Sequence, residues 1–86
     1  MTYTYRYFVN GYDTAIASTS YLNKYPPVPA VGNHIYIEND FLTKDYSADW
    51  TEEDLDYDYY IVTNVSYDYS EDFVLVDIFL TGMYTD

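Results

Sequence analysis

The sequence predicts a mainly β domain of about five antiparallel strands, arranged as a small barrel or strongly bent sheet, with a short helical turn in an acidic connection. Three observations carry this expectation. Residue character alternates along Tyr3–Val9, an Asn10-Gly11 pair follows at once, and Phe73–Leu80 is apolar at nearly every position. Alternation with a period of two marks a strand whose faces differ. Asn-Gly tolerates the positive φ of a tight hairpin turn, and a continuous apolar run is expected of a strand covered on both sides. With 86 residues the chain has room for one domain, 1–86.

In chain order, Tyr3, Tyr5 and Tyr7 face one way and Thr4, Arg6 and Phe8 the other, which gives the first strand. After Asn10-Gly11, Tyr12–Ser18 is expected to pair back as the second. Ser18-Thr19-Ser20 is positioned to cap a short helical turn through Tyr21-Leu22-Asn23, which Pro26, Pro27 and Pro29 would end. In His34–Glu38 the pair Ile35 and Ile37 shares a face opposite His34, Tyr36 and Glu38, the pattern of a third strand. Asn39–Asp56 is polar and acidic. Within it Ser47 and Thr51 are both candidate caps, and Thr51-Glu52-Glu53-Asp54 fits a capping box, so a single helical turn should carry Trp50 and Leu55 inward. Tyr57–Tyr67 alternates again, placing Tyr57, Tyr59, Ile61, Thr63, Val65 and Tyr67 on one face, and a turn over Tyr69–Asp72 leads into the last strand. A β chain this short must curl or close to hide its edges.

Composition excludes several functions. Fifteen Asp and Glu against three Lys and Arg give a formal charge of -12. Arg6, Lys24 and Lys44 cannot neutralise a phosphate backbone, so direct binding to nucleic acid or anionic lipid is opposed by the net field. The absence of cysteine removes disulfides, thiolate metal sites and cysteine nucleophiles. No stretch approaches the roughly 18–20 apolar residues of a membrane span, and the first residues lack the pattern of a signal peptide. An intracellular, cytoplasmic protein is expected. At 49% apolar and 22% aromatic residues the chain can bury a core despite its charge.

No catalytic motif is present, and the chain is read as a non-enzyme without cofactor or metal. Asp54, Asp56 and Asp58 begin like a calcium-binding loop, but Tyr59 stands where that loop needs Gly and Val65 where it needs a bidentate Glu. His34 is the only histidine, which excludes multi-histidine metal sites. Carboxylate pairs of glycosidase type have no spacing that distinguishes them in so acidic a chain.

The dense feature is the series Asp45, Asp49, Glu52, Glu53, Asp54, Asp56 and Asp58. Its alternative reading is a solvated face that keeps the protein soluble, but solubility needs a net charge of only about 2–8 in a small domain. Like charges also raise the energy of the folded state, so the excess points to a use for the field. Acids alternating on an extended strand stand about 6.5–7 Å apart on one face, so Asp54, Asp56 and Asp58 would imitate a phosphate path if that stretch is extended. Asp49, Glu52 and Glu53 would support them, with Tyr57, Tyr59 and Tyr60 as low-entropy anchors on which a partner's arginines stack.

The tract Asp54-Leu55-Asp56-Tyr57-Asp58-Tyr59-Tyr60, with the size and charge of the chain, resembles the small acidic phage-encoded inhibitors of host defence, the anti-CRISPR and anti-restriction proteins. That resemblance implies an inhibitor that mimics DNA and occupies a basic nucleic-acid-binding cleft, such as that of an RNA-guided nuclease. Pro29-Ala30-Val31-Gly32-Asn33-His34-Ile35 is similar to the Pro-x-Val-Gly-Asp-x-Val opening of strands in small β-barrel proteins of phage genomes, with Asn33 in place of Asp. The competing expectation is a structural or assembly module of a phage particle or oligomer, in which the acids serve solubility.

Overall fold

The computed structural model describes residues 1–44 and 47–85, so Asp45 of the acidic series lies outside the described residues. Strands β1 (Thr2–Val9), β2 (Ala17–Leu22), β3 (His34–Ile35), β4 (Tyr59–Tyr69) and β5 (Phe73–Met83) form one sheet in the order β2-β1-β5-β4-β3. The domain is mainly β as expected, but the sheet is mixed. Antiparallel pairs β1/β2 and β4/β5 are joined by β1 lying parallel to β5, from Thr2 opposite Phe73 to Val9 opposite Leu80. The reason is burial. β1 and β5 carry the most apolar faces of their hairpins, and setting them side by side places Tyr5 and Val9 beside Val76 and Leu80 in the sheet centre.

Asn10-Gly11 does turn the chain: Gly11 has φ 100°, and the Tyr12 N–H donates to the Val9 carbonyl at 3.1 Å. The return strand nevertheless begins at Ala17, not Tyr12, because residues 13–16 are held by the acidic connection. Asp49 accepts the Asp13 N–H at 2.7 Å and the Thr14 N–H at 3.1 Å, Trp50 Nε1 donates to the Thr14 carbonyl at 3.0 Å, and Thr43 N–H donates to the Ile16 carbonyl at 2.8 Å. Ser18-Thr19-Ser20 caps no helical turn. It lies within β2, where Ala17, Thr19 and Tyr21 face inward and Ser18, Ser20 and Leu22 are exposed.

Only His34–Ile35 of the expected third strand pairs, against Ile61 and Tyr60, although the alternation persists: Ile35 and Ile37 are half-buried, His34, Tyr36 and Glu38 exposed. The turn before it needs its glycine. Gly32 has φ 94°, and Asn33 closes the turn by donating its N–H to the Ala30 carbonyl and accepting the Ala30 N–H on Oδ1. Asn33 thus performs the acceptor role that an Asp would fill there.

Thr63 is the extra residue of a bulge in β4, since Val62 faces Leu80 while Asn64 faces Phe79. The bulge shifts the alternation by one. The inward face is therefore Tyr60, Val62, Val65 and Tyr67, not the unbroken Tyr57-to-Tyr67 series that strict alternation predicts. Val74, Val76, Ile78 and Leu80 of β5 form the centre of the core, and Ile16, Leu42, Trp50 and Leu55 cover it from the connections. Each such side chain contributes roughly 1.5–3 kcal/mol by leaving water.

β5 is covered on one side only, not on both as its continuous apolar run predicts. Leu75, Asp77 and Phe79 on its outer face are half-buried by sheet neighbours alone. There Arg6 makes a bidentate pair with Asp77 (Nε–Oδ1 2.8 Å, Nη2–Oδ2 2.9 Å), and Phe8 stacks on Phe79 with centroids 5.5 Å apart. The β1/β5 pairing creates both contacts, with Arg6 opposite Asp77 and Phe8 opposite Phe79. Among the described residues no α-helix occurs; two 3₁₀ turns, Asn39–Phe41 and Glu52–Leu55, lie in the connection. Among the described residues no helix is long and apolar enough to cross a membrane.

Candidate functional site: the acidic face

The acidic connection is built from its caps upward. Thr51 takes the extended conformation of an N-cap (φ -122°, ψ 166°), and its hydroxyl accepts the Asp54 N–H while Asp54 Oδ2 accepts the Thr51 N–H at 2.9 Å. The capping box predicted at Thr51–Asp54 is therefore present. It starts a single 3₁₀ turn that directs Leu55 into the core and leaves Glu52, Glu53 and Asp54 exposed. Acidic residues suit this position, where free backbone N–H groups concentrate partial positive charge.

The straight row of Asp54, Asp56 and Asp58 does not form. Asp54 belongs to the 3₁₀ turn, and Asp56 (φ -79°, ψ 55°) is the centre of an inverse γ-turn closed by the Tyr57 N–H on the Leu55 carbonyl at 2.8 Å. Asp58 precedes β4, where its N–H donates to the Met83 carbonyl and its Oδ2 accepts the Thr85 N–H. Local turn hydrogen bonds win over extension. The acids instead occupy a folded loop whose exposed carboxylates, Asp49, Glu52, Glu53, Asp54, Asp56 and Asp58, point from successive bends.

Three of these acids have structural work as well as charge. Asp49 pins the Asp13-Thr14 backbone, Asp54 closes the cap, and Asp58 ties the connection to the segment after β5. The Asp13 and Thr14 N–H groups hold the Asp49 carboxyl below the usual carboxylate range, and the Thr85 N–H does the same for Asp58. Both therefore remain ionised well into acid. A depressed folded-state pKa contributes stability that is present above the unfolded value and lost as pH falls through the folded one. Asp49→Ala is accordingly expected to unfold at lower urea than the parent near about pH 7, with the difference shrinking toward about pH 3. A gap that persists unchanged in acid would show that Asp49 acts through packing instead of charge.

The tyrosines nominated beside these acids divide. Tyr60 is 3% exposed, and burial pushes its hydroxyl's pKa up, so it is a core residue and offers no contact surface. Its position opposite Gly82 puts it on the inward side of β4. Tyr57 is half-buried, edge-on to Tyr60 at 5.7 Å and beside Tyr84 at 5.3 Å. Tyr59, half-buried on the opposite face, stacks on His34 at 4.9 Å and leans on Tyr36 at 6.2 Å. His34 is thus an exposed ring in an aromatic stack. The residue that local sequence could not place is Tyr12, whose pKa is raised by desolvation and by the nearby charges of Asp54 and Asp49. It joins the acidic face because Asp49 and Trp50 draw the post-hairpin loop against the connection, a contact with no local signal.

Among the described residues, no group of three or more His, Asp or Glu side chains is arranged to hold a metal ion. Tyr5, 3% exposed, donates its hydroxyl to the Pro26 carbonyl, and burial together with neighbouring tyrosines pushes its pKa to about 12. It is a locked donor. Comparison with known proteins adds no relative: no family model, curated protein or solved structure matches this chain.

Proposed function

We propose that this chain is a non-catalytic inhibitor that binds a basic nucleic-acid-binding cleft of a partner and blocks nucleic-acid access by charge mimicry. The observation that carries this reading is unneutralised charge concentrated on one built face. After Lys44 the chain contains no Lys or Arg, while Arg6 is engaged by Asp77 on the outer sheet face. Backbone donors hold the Asp49 and Asp58 carboxyls below the usual carboxylate range, so these two charges are the later to be lost as pH falls into acid. The likeness of the tract Asp54–Tyr60 to anti-CRISPR and anti-restriction inhibitors supplies the class of target, a CRISPR effector nuclease first. Mimicry here uses a bent loop, with Glu52, Glu53 and Asp56 as the contacts free of structural work and Tyr12 and Tyr57 as the adjoining rings.

The test separates charge from fold. Glu52→Gln/Glu53→Gln/Asp56→Asn leaves the capping box and the Asp49 and Asp58 contacts intact, so its Tm should stay at or above that of the parent. Binding to an RNA-guided nuclease, measured by competition with labelled target DNA, should weaken strongly. Raising salt from about 50 to about 200 mM should weaken the parent complex steeply while raising the Tm of the isolated chain, because screening opposes attraction in one case and self-repulsion in the other. Salt-insensitive binding, or equal competition by the neutralised variant, would refute mimicry. The assembly-module reading is favoured by a different observation, the half-buried Leu75, Phe8 and Phe79 on the uncovered outer face. Self-association that survives neutralisation of the acids would select it.

A further inference from the structure

The two ends of the sheet, β2 and β3, face one another across an open seam. A cavity of about 220 Å³ lies between them, lined by Ala17, Thr19 and Tyr21 from β2 and by Ile35, Ile37 and Phe41 from the opposite edge. Strands at opposite ends of a five-strand sheet can share one cavity only if the sheet curls toward a barrel that stops short of closure. The volume is below the roughly 300–1,000 Å³ of ordinary small-molecule pockets. It suits side chains entering from a strand.

β2 is an open edge. Its outer donors and acceptors can be assigned from the ladder: the Asn23 N–H donates to the Met1 carbonyl, one step beyond the Thr2–Leu22 pair. Hydrogen-bonded and non-hydrogen-bonded pairs alternate in an antiparallel ladder, so the backbone groups of Ser18, Ser20 and Leu22 point away from β1. Edges are commonly guarded by lysine, proline, an inward charge or a bulge. Ala17-Ser-Thr-Ser-Tyr-Leu22 contains neither charge nor proline. On the facing side, Tyr36 and Phe41 are 74% and 67% exposed, large rings standing at the mouth of an apolar slot.

We infer that this seam is a docking groove for an extended, basic segment of a partner protein, which adds to β2 as a sixth strand and places apolar side chains between Ile35, Ile37 and Phe41. Charge selects the occupant. A second copy would bring a net charge of -12 against -12, and although Lys24 and Lys44 stand near the slot as well as Glu38 and Asp40, the net field of the chain draws a segment flanked by Lys or Arg. Main-chain pairing supplies affinity and the alternate side chains supply selectivity, as in strand addition generally. None of the lining residues belongs to the acidic loop over 49–58, so the groove goes beyond the proposed inhibition and stands or falls separately.

The probe is a synthetic peptide of strand length that alternates valine and threonine and carries lysines at both ends, compared with a twin carrying glutamates. Titrated into the isotope-labelled protein, the lysine peptide should shift the amide resonances of Ser18 and Ser20 and slow their hydrogen exchange, and the glutamate twin should do so far less. Tyr36→Ala/Phe41→Ala alters two exposed side chains and should leave the Tm nearly unchanged while weakening the peptide about tenfold or more. Glu52→Gln/Glu53→Gln/Asp56→Asn should leave the Ser18 and Ser20 response in place, which distinguishes this groove from the acidic face. Shifts confined to residues 49–58, equal responses to both peptides, no response, or concentration-dependent protection of the same amides without peptide would each overturn the proposal.

Discussion

Ile78→Ala should lower the Tm of the isolated chain by roughly 10–40 °C, or leave it unfolded at room temperature. Ile78 is fully buried on the central strand, paired with Tyr7 on one side and Val65 on the other. Truncation removes three buried carbons and leaves a hole bounded by residues of three strands, which costs about 2–5 kcal/mol in comparable cores. Domains have about 5–15 kcal/mol to lose, and one of this length with a charge of -12 has no disulfide to compensate. Leu75→Ala on the outer face of the same strand is the control. Its side chain already meets solvent, so a much smaller shift in Tm is expected; comparable losses at both positions would mean that the outer face is covered in solution.

Gly82→Ala should be the most harmful single-methyl change in the chain. Tyr57 lies with its ring flat over Gly82, and a Cβ built there falls against the root of that ring. The far end of a flexible side chain could yield, but here the whole ring must leave its packing against Tyr60 and Tyr84. A cost of about 1–3 kcal/mol is expected, read as a lower urea midpoint. In a Tyr57→Ala background the same Gly82→Ala change should cost little. Additive losses in that double-mutant cycle would show that Gly82 is required for backbone reasons and not for the ring above it.

The parts of the fold that sequence discloses are those decided within a few residues. Thr51 and Asp54 find each other across one turn, and the alternation of β1 survives in the core, whereas the continuous apolar run of β5 hides that only Val74, Val76, Ile78 and Leu80 are buried. The Asn10-Gly11 turn is equally legible, but the strand it should start is delayed because Asp49 and Trp50, distant in sequence, bind the loop behind it. One bulge at Thr63 puts Val65 and Tyr67 on the face of Tyr60 and Val62, so the single face that strict alternation gives to Tyr57–Tyr67 is divided at that point, and period-two reasoning has no means of detecting a single extra residue. Within the acidic tract, charge was legible and geometry was not. The spacing of Asp54, Asp56 and Asp58 suggests a line only for an extended chain, while a cap and a γ-turn bend it. Tyr60 failed as an anchor for a related reason, since a tyrosine among acids looks exposed until the face of its strand is known.

The parallel ladder of β1 on β5 joins residues 2–9 to residues 73–80, so the central pairing closes almost the longest loop the chain permits. Such a contact order predicts a slow, barrier-limited search, because the entropy of closure is lost before Tyr5 and Val76 can share a core. During synthesis β1 emerges first and has only β2 to pair with until β5 leaves the ribosome, at a pace of about 5–20 residues per second. The nascent β1/β2 hairpin is then a two-stranded ribbon with a tyrosine-lined face and both edges open. For that interval the strong negative charge of the later segments is not yet available to keep neighbouring chains apart, and nascent chains on one message are most exposed to mutual strand pairing.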